Sequence, residues 1–379
     1  MLRIQTNTIC TTYNFDNLKV NLASQSVNVI HYVNSYCAYK CINKENRRQQ
    51  LYFINHVNDE KERDTYSRQF VKKEFYQDTM IIHKGGMTLE RYQVNSLSIF
   101  RLTDNGDLIL KEKNILYVVT NSDDEKNGSL VLRIIRELLF RTVENHLGII
   151  MHAAACFHPK YGGILICGDK GKGKTTLLFD LLKNGCSFVA NDRVVIESKA
   201  NGLIMKAVPL CIRAGAGTVA QPYLDIEIDS EKLSRSINQD LRVLAEIENP
   251  TIFGRAKIEF TPYEISQLFN THNIFNCELK YILFPDFSPD NISVVEHERP
   301  KDSYDILKQS CCTPNDVNWL RPWLLYRKYS KNYLIKNSDR CIQDMLLSCK
   351  IVRVSFGCNI GTWKSKKFFY TGDNNYEKK

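Results

Sequence analysis

A short apolar run, Ile164-Leu165-Ile166-Cys167, leads into Gly168, four further residues (Asp169, Lys170, Gly171, Lys172), and then Gly173, Lys174 and Thr175. Glycine, four spacers, glycine, lysine and a hydroxyl residue is the spacing of a phosphate-binding loop held between a strand and a helix. This requirement constrains the fold more than any other feature, because strand, loop and helix must follow one another without interruption. Glycines let the backbone curl until several N–H groups point into one anion-sized hollow. The next helix adds its N-terminus, with unsatisfied donors and a partial positive charge. In such a loop, Gly168, Asp169, Lys170, Gly171, Lys172, Gly173, Lys174, Thr175 and Thr176 would cradle the phosphates of ATP or another nucleoside triphosphate. Lys174 would neutralise the outer phosphates, and the Thr175 hydroxyl would ligate Mg²⁺.

The flanking residues agree with that spacing. Leu177, Leu178, Leu181 and Leu182 recur at helical intervals, and Asn184-Gly185 supplies a stop. A second apolar stretch, residues 186–190, then delivers Asn191 and Asp192 at its carboxyl end. Ligands of open α/β sheets sit outside the carboxyl ends of the strands, so Asp192 is expected near the phosphates. His152 lies in an apolar run just before the loop strand. A histidine in that setting is more often a packed residue than a catalyst, and its place beside the loop strand is what singles it out.

In the order His152-Ala153-Ala154, then the loop, then Phe188-Val189-Ala190-Asn191-Asp192-Arg193-Val194, the chain resembles the HPr kinase/phosphorylase superfamily. Weaker likenesses at residues 208–210, 257–262, 282–285 and 352–357 are similar to HPr-kinase-like proteins of peptide-modification gene clusters, the type that tailors lasso peptides. The resemblance covers roughly residues 130–360. It implies an α/β fold, a P-loop-containing catalytic sheet with helices, and ATP-dependent transfer of a γ-phosphate. The acceptor it implies is a hydroxyl, that of a Ser, of a peptide or small protein such as a ribosomally made peptide. Asp192 would accept or orient the hydroxyl proton, His152 would sit beside it, and Thr175, Asn191 and Asp192 would hold the metal. Two positions depart from the pattern: Asn191 stands where the superfamily commonly has Asp, and Thr176 where it usually has Glu. A kinase of a small metabolite and a nucleotide-binding regulatory protein with little transfer activity are the alternative readings.

At 379 residues the chain is long enough for two domains. The expected division is a mostly β N-terminal lobe at 1–125, a catalytic domain at 126–365 and a polar tail at 366–379. Its net charge of +9 suits anionic ligands. No zinc-finger spacing, RNA-binding aromatic signature or long basic run points to nucleic acid. No apolar run approaches the ~20 residues of a membrane helix. The first residues do not read as a signal peptide, and cysteines such as Cys156, Cys167 and Cys186 lie in apolar contexts, so free thiols and a cytoplasmic location are expected. Homo-oligomerisation is left open.

Strands are expected at 18–22, 28–33, 51–56, 80–83, 98–102, 108–111 and 115–120. A charged stretch at 58–77 reads as an exposed loop or helix. Ser129 is expected to cap a helix running to about Asn145, with Leu130, Ile134 and Leu138 on its buried stripe. A strand at 149–157 would carry His152. A hairpin at 194–208, a glycine-rich segment bearing Arg213 (a plain loop or, alternatively, a flap), an exposed helical segment at 224–249, a capped helix at 262–270 and strands at 279–284 and 351–356 follow. Arg213, Arg255 and Lys257 are cations within reach of a phosphate, or plain surface charges.

Overall fold

The computed structural model of the chain describes residues 8–41, 49–83, 87–121, 125–219, 257–288, 295–298, 300–316 and 320–357. The chain is mixed α/β and divides into two compact units. Unit 1 comprises Met1–Cys37, Lys44–His146 and Pro314–Ser330; unit 2 comprises Ala38–Asn43, Leu147–Thr313 and Lys331–Lys379.

Unit 1 begins with β1 (Ile9–Phe15), β2 (Leu18–Ser24) and helix α1 (Val27–Cys37). After a two-residue strand of unit 2, β3 (Lys40–Cys41), come β4 (Gln50–Asn58) and α2 (Glu60–Phe70). A meander follows: β5 (Tyr76–His83), β6 (Met87–Val94), β7 (Leu97–Leu102), β8 (Leu108–Glu112) and β9 (Ile115–Thr120). The eight strands of this unit form one sheet in the order β1-β2-β4-β9-β8-β7-β6-β5. Pairing is parallel at β2/β4 and β4/β9 and antiparallel elsewhere. Helix α3 (Glu125–Asn145) closes the run.

Three expectations change here. Residues 28–33 form helix, not strand: Val29, Ile30, Val33, Tyr36 and Cys37 share a buried face at helical spacing, which a short apolar window does not reveal. Helix α3 starts at Glu125, so Ser129 lies inside it rather than capping it. Periodicity detects only the apolar stripe and misses the polar residues that extend a helix before it. The division at 125/126 is also displaced, because α3 packs on α1 and β2 and so belongs to unit 1. The approach of the two helices is close: a methyl at Gly128 would lie 2.7 Å from the Tyr32 ring. Residues 314–330 join the same unit, with Arg327 bonded to Glu144 at 2.9 and 3.1 Å.

Unit 2 holds β10 (Ile149–Met151), β11 (Ala153–His158), β12 (Gly162–Cys167), α4 (Lys174–Lys183) and β13 (Ser187–Ala190). The hairpin β14 (Val194–Lys199) and β15 (Gly202–Ala207) pairs Val194 with Ala207, as the sequence suggests. Next come β16 (Ile212–Gly215), the single turn α5 (Ala216–Val219), β17 (Lys257–Phe260), α6 (Pro262–Leu268) and the fourteen-residue β18 (Ile274–Phe287). β19 (Val295–Glu298), α7 (Ser303–Ser310), α8 (Lys331–Ser348) and β20 (Lys350–Phe356) complete it.

β18 serves two groups of strands. Its residues 276–278 pair with β15, whose hairpin leads to β10; residues 279–283 pair in parallel with β12, and 281–287 with β20. Helix α4 buries Leu177, Leu178, Phe179, Leu181 and Leu182 in the core, each side chain contributing about 1.5–3 kcal/mol. Thr261 caps α6 by a reciprocal bond with Glu264, and Pro262 opens the helix, which its sequence announces. The glycine-rich segment 213–218, expected as a loop, is instead ordered as β16 and α5. Ile212 and Ala214 alternate into the core and pair with Phe260 and Ile258. The segment 224–249, Arg255, Trp319 and the tail beyond 357 lie outside the described residues. Among the described residues no helix is long and apolar enough to cross a membrane.

Candidate active site

Strand register brings the candidate residues together. β12 is buried along its apolar run, with Ile164, Leu165, Ile166 and Cys167 inaccessible to solvent. Antiparallel β11 sets Ala153 opposite Cys167, and on its other side Ala155 opposite Ala190 of β13. The amino end of β11 therefore meets the carboxyl ends of β12 and β13. His152, Gly168 and Asn191 leave the sheet at one edge. β18 and β20 run parallel to β12 and end there too, with the Phe287 amide donating to the Lys172 carbonyl at 3.2 Å.

Residues 149–157 are not one strand. β10 pairs with β14, β11 pairs with β12 and β13, and His152 lies at the break, its amide donating to the Ser310 carbonyl at 2.6 Å. The return crossing, from β13 to β14, is Asn191-Asp192-Arg193. The chain thus passes twice between the two strand groups, and the polar residues sit at the passages, where ladder hydrogen bonding stops.

Loop 168–173 is set by backbone conformation. Gly168, Gly171 and Gly173 have φ of 151°, 88° and 88°, a region that side chains with a Cβ rarely enter. Gly173 caps α4, and a methyl there would lie 2.7 Å from the Phe356 ring and 2.9 Å from Phe287 Cβ. Asp169, Lys170, Gly171 and Lys172 are exposed, with Lys172 Nζ 2.8 Å from Asp286. Lys174 Nζ donates to the Gly168 and Asp169 carbonyls at 2.6 and 3.1 Å. Burial lowers the proton affinity of its amine, against the pull of Cys167, Asp192 and Asp169, and Lys257 pushes the same way as burial. Thr175 Oγ1 lies 3.5 Å from Asn191 Oδ1. The Thr176 hydroxyl is buried against Thr218 Oγ1 at 2.9 Å, which leaves its backbone amide as its contribution to an anion hollow.

Asp192 stands at the second crossing with φ of 73°, a left-handed conformation that Asp tolerates better than most residues. Its Oδ1 is 3.2 Å from His152 Nδ1, and its Oδ2 is 3.1 Å from an Arg193 NH1 nitrogen. The same NH1 donates to the Asp192 carbonyl at 2.7 Å and lies 2.8 Å from His152 Nδ1. Burial pushes the Asp192 carboxyl up, but the contact with His152 and the charges of Arg193, His152 and Lys174 outweigh it and hold the group below the usual carboxylate range. The His152 and Asp192 side chains remain 40% and 36% exposed, whereas Arg193 is only 10% exposed. Sequence reading singled out His152 and Asp192 and missed Arg193. The available signal was a guanidinium planted between two apolar strands.

Thr175, Asn191 and Asp192 present oxygen donors, the ligand type that would suit a hard cation such as Mg²⁺. The Cys167 thiol under the loop is pushed up to about 12 by burial and is no nucleophile at neutral pH. Arg213 is exposed on β16 and paired with Glu259 at 2.8 Å.

No protein-family model matches the chain. A stretch of 106 residues, 27% of the chain, is 31% identical to the HPr kinase/phosphorylase of Mycoplasma mycoides subsp. mycoides and spans 32% of that protein's length. Among solved structures, the HPr(Ser) kinase/phosphatase from Coxiella burnetii aligns over 58% of this chain and 95% of its own, at 13% identity. The TM-score of that alignment is 0.26, which carries no structural argument. The sequence similarity supports an HPr kinase-like superfamily for this chain, over about a third of the relative's length.

Proposed function

We propose that the chain is an ATP-dependent phosphotransferase whose acceptor is a hydroxyl, most simply a Ser of a peptide or small protein. The observation that carries this reading is the convergence at one sheet edge of the glycine loop, Lys174 and the Asp192–His152–Arg193 cluster. Backbone amides of residues 168–176 bind the β- and γ-phosphates, and Lys174 turns from the loop carbonyls to the developing charge. Thr175, Asn191 and Asp192 would hold Mg²⁺, which would supply charge neutralisation for the phosphates. Asp192 takes the hydroxyl proton as the acceptor oxygen bonds to the γ-phosphorus and the bond to the bridging oxygen breaks, releasing ADP. A general base of this kind contributes about 10²–10⁴-fold.

The test is transfer of labelled γ-phosphate from ATP in size-fractionated extract of the source cells. Wild type should label a polypeptide fraction, Lys174→Ala should label nothing, and Asp192→Asn should bind ATP but lose transfer. Full transfer by Lys174→Ala would overturn the loop assignment. Label confined to small molecules would make the acceptor a metabolite. ATP binding without Asp192-dependent transfer would make the protein a nucleotide-binding regulator, which the uncharged Asn191 would suit.

A further inference from the structure

We infer that unit 1 carries a binding site for a small organic carboxylate, a single negative charge on a short arm that ends in an aromatic group, between strands β6–β8 and residues 322–326. The site lies wholly within unit 1 and stands whether or not the chain transfers phosphate.

Strand register builds it. Arg91 stands opposite Phe100, Gln93 opposite Ser98, and Ser98 opposite Lys111. Directly opposed residues share a sheet face, and so do residues two apart on one strand. Arg91, Gln93, Ser98, Phe100 and Lys111 therefore project to one face, while Tyr92, Ile99, Leu108 and Leu110 fill a core on the other. Residues 322–326 cross the first face, with Trp323 packed edge-on against Phe100 at 5.8 Å between ring centroids. Between them lies a cavity of about 60 Å³. One water needs about 10–15 Å³, so a carboxylate and its first carbons fit.

The chemistry of the lining selects the ligand. Ser98 Oγ donates to Gln93 Oε1 at 2.8 Å, and Gln93 Nε2 to the Asn95 carbonyl at 2.7 Å, so the neutral polar groups are engaged. Arg91 Nε donates to Asp78 at 2.8 Å, which balances its charge and leaves its terminal nitrogens without an acceptor among the described residues. Lys111 is half-buried and has no acceptor among them either. Burial alone acts on its amine and lowers its proton affinity, with no carboxylate to oppose it. The indole N–H of buried Trp323 also meets no acceptor among the described residues, although a buried indole usually finds one. Among the described residues no Asp or Glu lines the cavity. With Arg91 and Asp78 cancelling, Lys111 leaves one positive charge. A carboxylate matches it, whereas a phosphate monoester brings roughly −1.5 to −2. Tyr326, 85% exposed at the rim, offers the arm an aromatic surface to lie on.

Calorimetric titration of the full-length protein with phenylacetate tests this, against phenylacetamide, its uncharged counterpart, and phenyl phosphate. Phenylacetate should bind once per chain. Phenylacetamide should bind about 10–100-fold more weakly, the worth of a hydrogen bond to a charged group, and phenyl phosphate no more tightly than phenylacetate. Lys111→Met keeps the aliphatic stem and should weaken phenylacetate about 10-fold or more. Tyr326→Ala changes an exposed side chain and should weaken it about 2–10-fold. Tighter binding of N-acetyl-phenylalanine than of phenylacetate would assign the carboxylate to the end of a peptide; weaker binding would assign it to a free small acid. Equal affinity for phenylacetate and phenylacetamide, tighter binding of phenyl phosphate, undiminished binding by Lys111→Met, or no saturation by about 10 mM overturns the inference. Should Lys111→Met fail to fold, Tyr326→Ala and the charged and neutral probes on wild type decide.

Discussion

Arg141 with Glu137 and Glu144 in unit 1, and Arg193 with Asp192 and His152 in unit 2, draw on the same chemistry in different surroundings. Arg141 is fully buried, and its carboxylate neighbours are 2% and 1% exposed. Arg141 is bonded to Glu144 and to the Leu320 carbonyl, and Arg327 adds a second cation to Glu144. Those charges hold residues 314–330 against α3. In unit 2 the guanidinium is buried but the carboxylate and imidazole it orders face solvent by more than a third. A guanidinium–carboxylate pair therefore says little by itself; which member reaches solvent separates a cluster that binds the fold from one that can meet a substrate.

The largest test of this contrast is Arg141→Met, which takes the cation from buried Glu137 and leaves Glu144 with Arg327. Urea unfolding should show a loss of about 3–5 kcal/mol, the cost of removing one member of a buried ion pair. A loss under about 1 kcal/mol would place the cluster with ordinary surface pairs. A second test uses pH. Burial, only partly offset by Arg141, raises the Glu137 carboxyl to about 7 from its ordinary 4.5. Between these values the unfolded chain has released a proton that the folded one keeps, so stability falls as pH rises from about 4.5 to 7 and levels off above. The fall amounts to about 3 kcal/mol, and Glu137→Gln should flatten it. The smallest effect belongs to Asp192→Asn. Asn accepts the same left-handed backbone, and a partly exposed pair is worth at most about 1 kcal/mol, so its unfolding midpoint should barely move while transfer is lost. A large drop in stability would recast Asp192 as structural.

What the sequence could disclose follows the range of the interactions. The succession of β12, glycine turn and α4 was legible because its demands are local: glycines at set positions, an apolar strand before, leucines at helical spacing after. The hairpin at 194–208 and the box at Thr261 and Glu264 are local in the same way. Strands expected at 18–22, 51–56, 80–83, 98–102, 108–111 and 115–120 fall within β2, β4, β5, β7, β8 and β9. The errors came where distant partners decide. Residues 28–33 are β-branched and apolar enough for a strand, and only packing on α3 makes them a helix. The break at His152 is held by Ser310, far along the chain, and the meeting of Arg193 with His152 depends on two crossings that nothing local announces.

The position of β20 bears on how the molecule comes off the ribosome. Unit 1 needs residues 314–330, and the loop of unit 2 rests on Phe356, whose ring faces the spot beside Gly173. Domains usually fold as they emerge, amino end first. Here neither unit has all its parts until its last segment has left the exit tunnel, after several hundred residues of synthesis. Apolar strands such as β12 must wait in the meantime without their final neighbours. A shortened product lacking β20 would leave Gly173 and Phe287 without the Phe356 ring beside them.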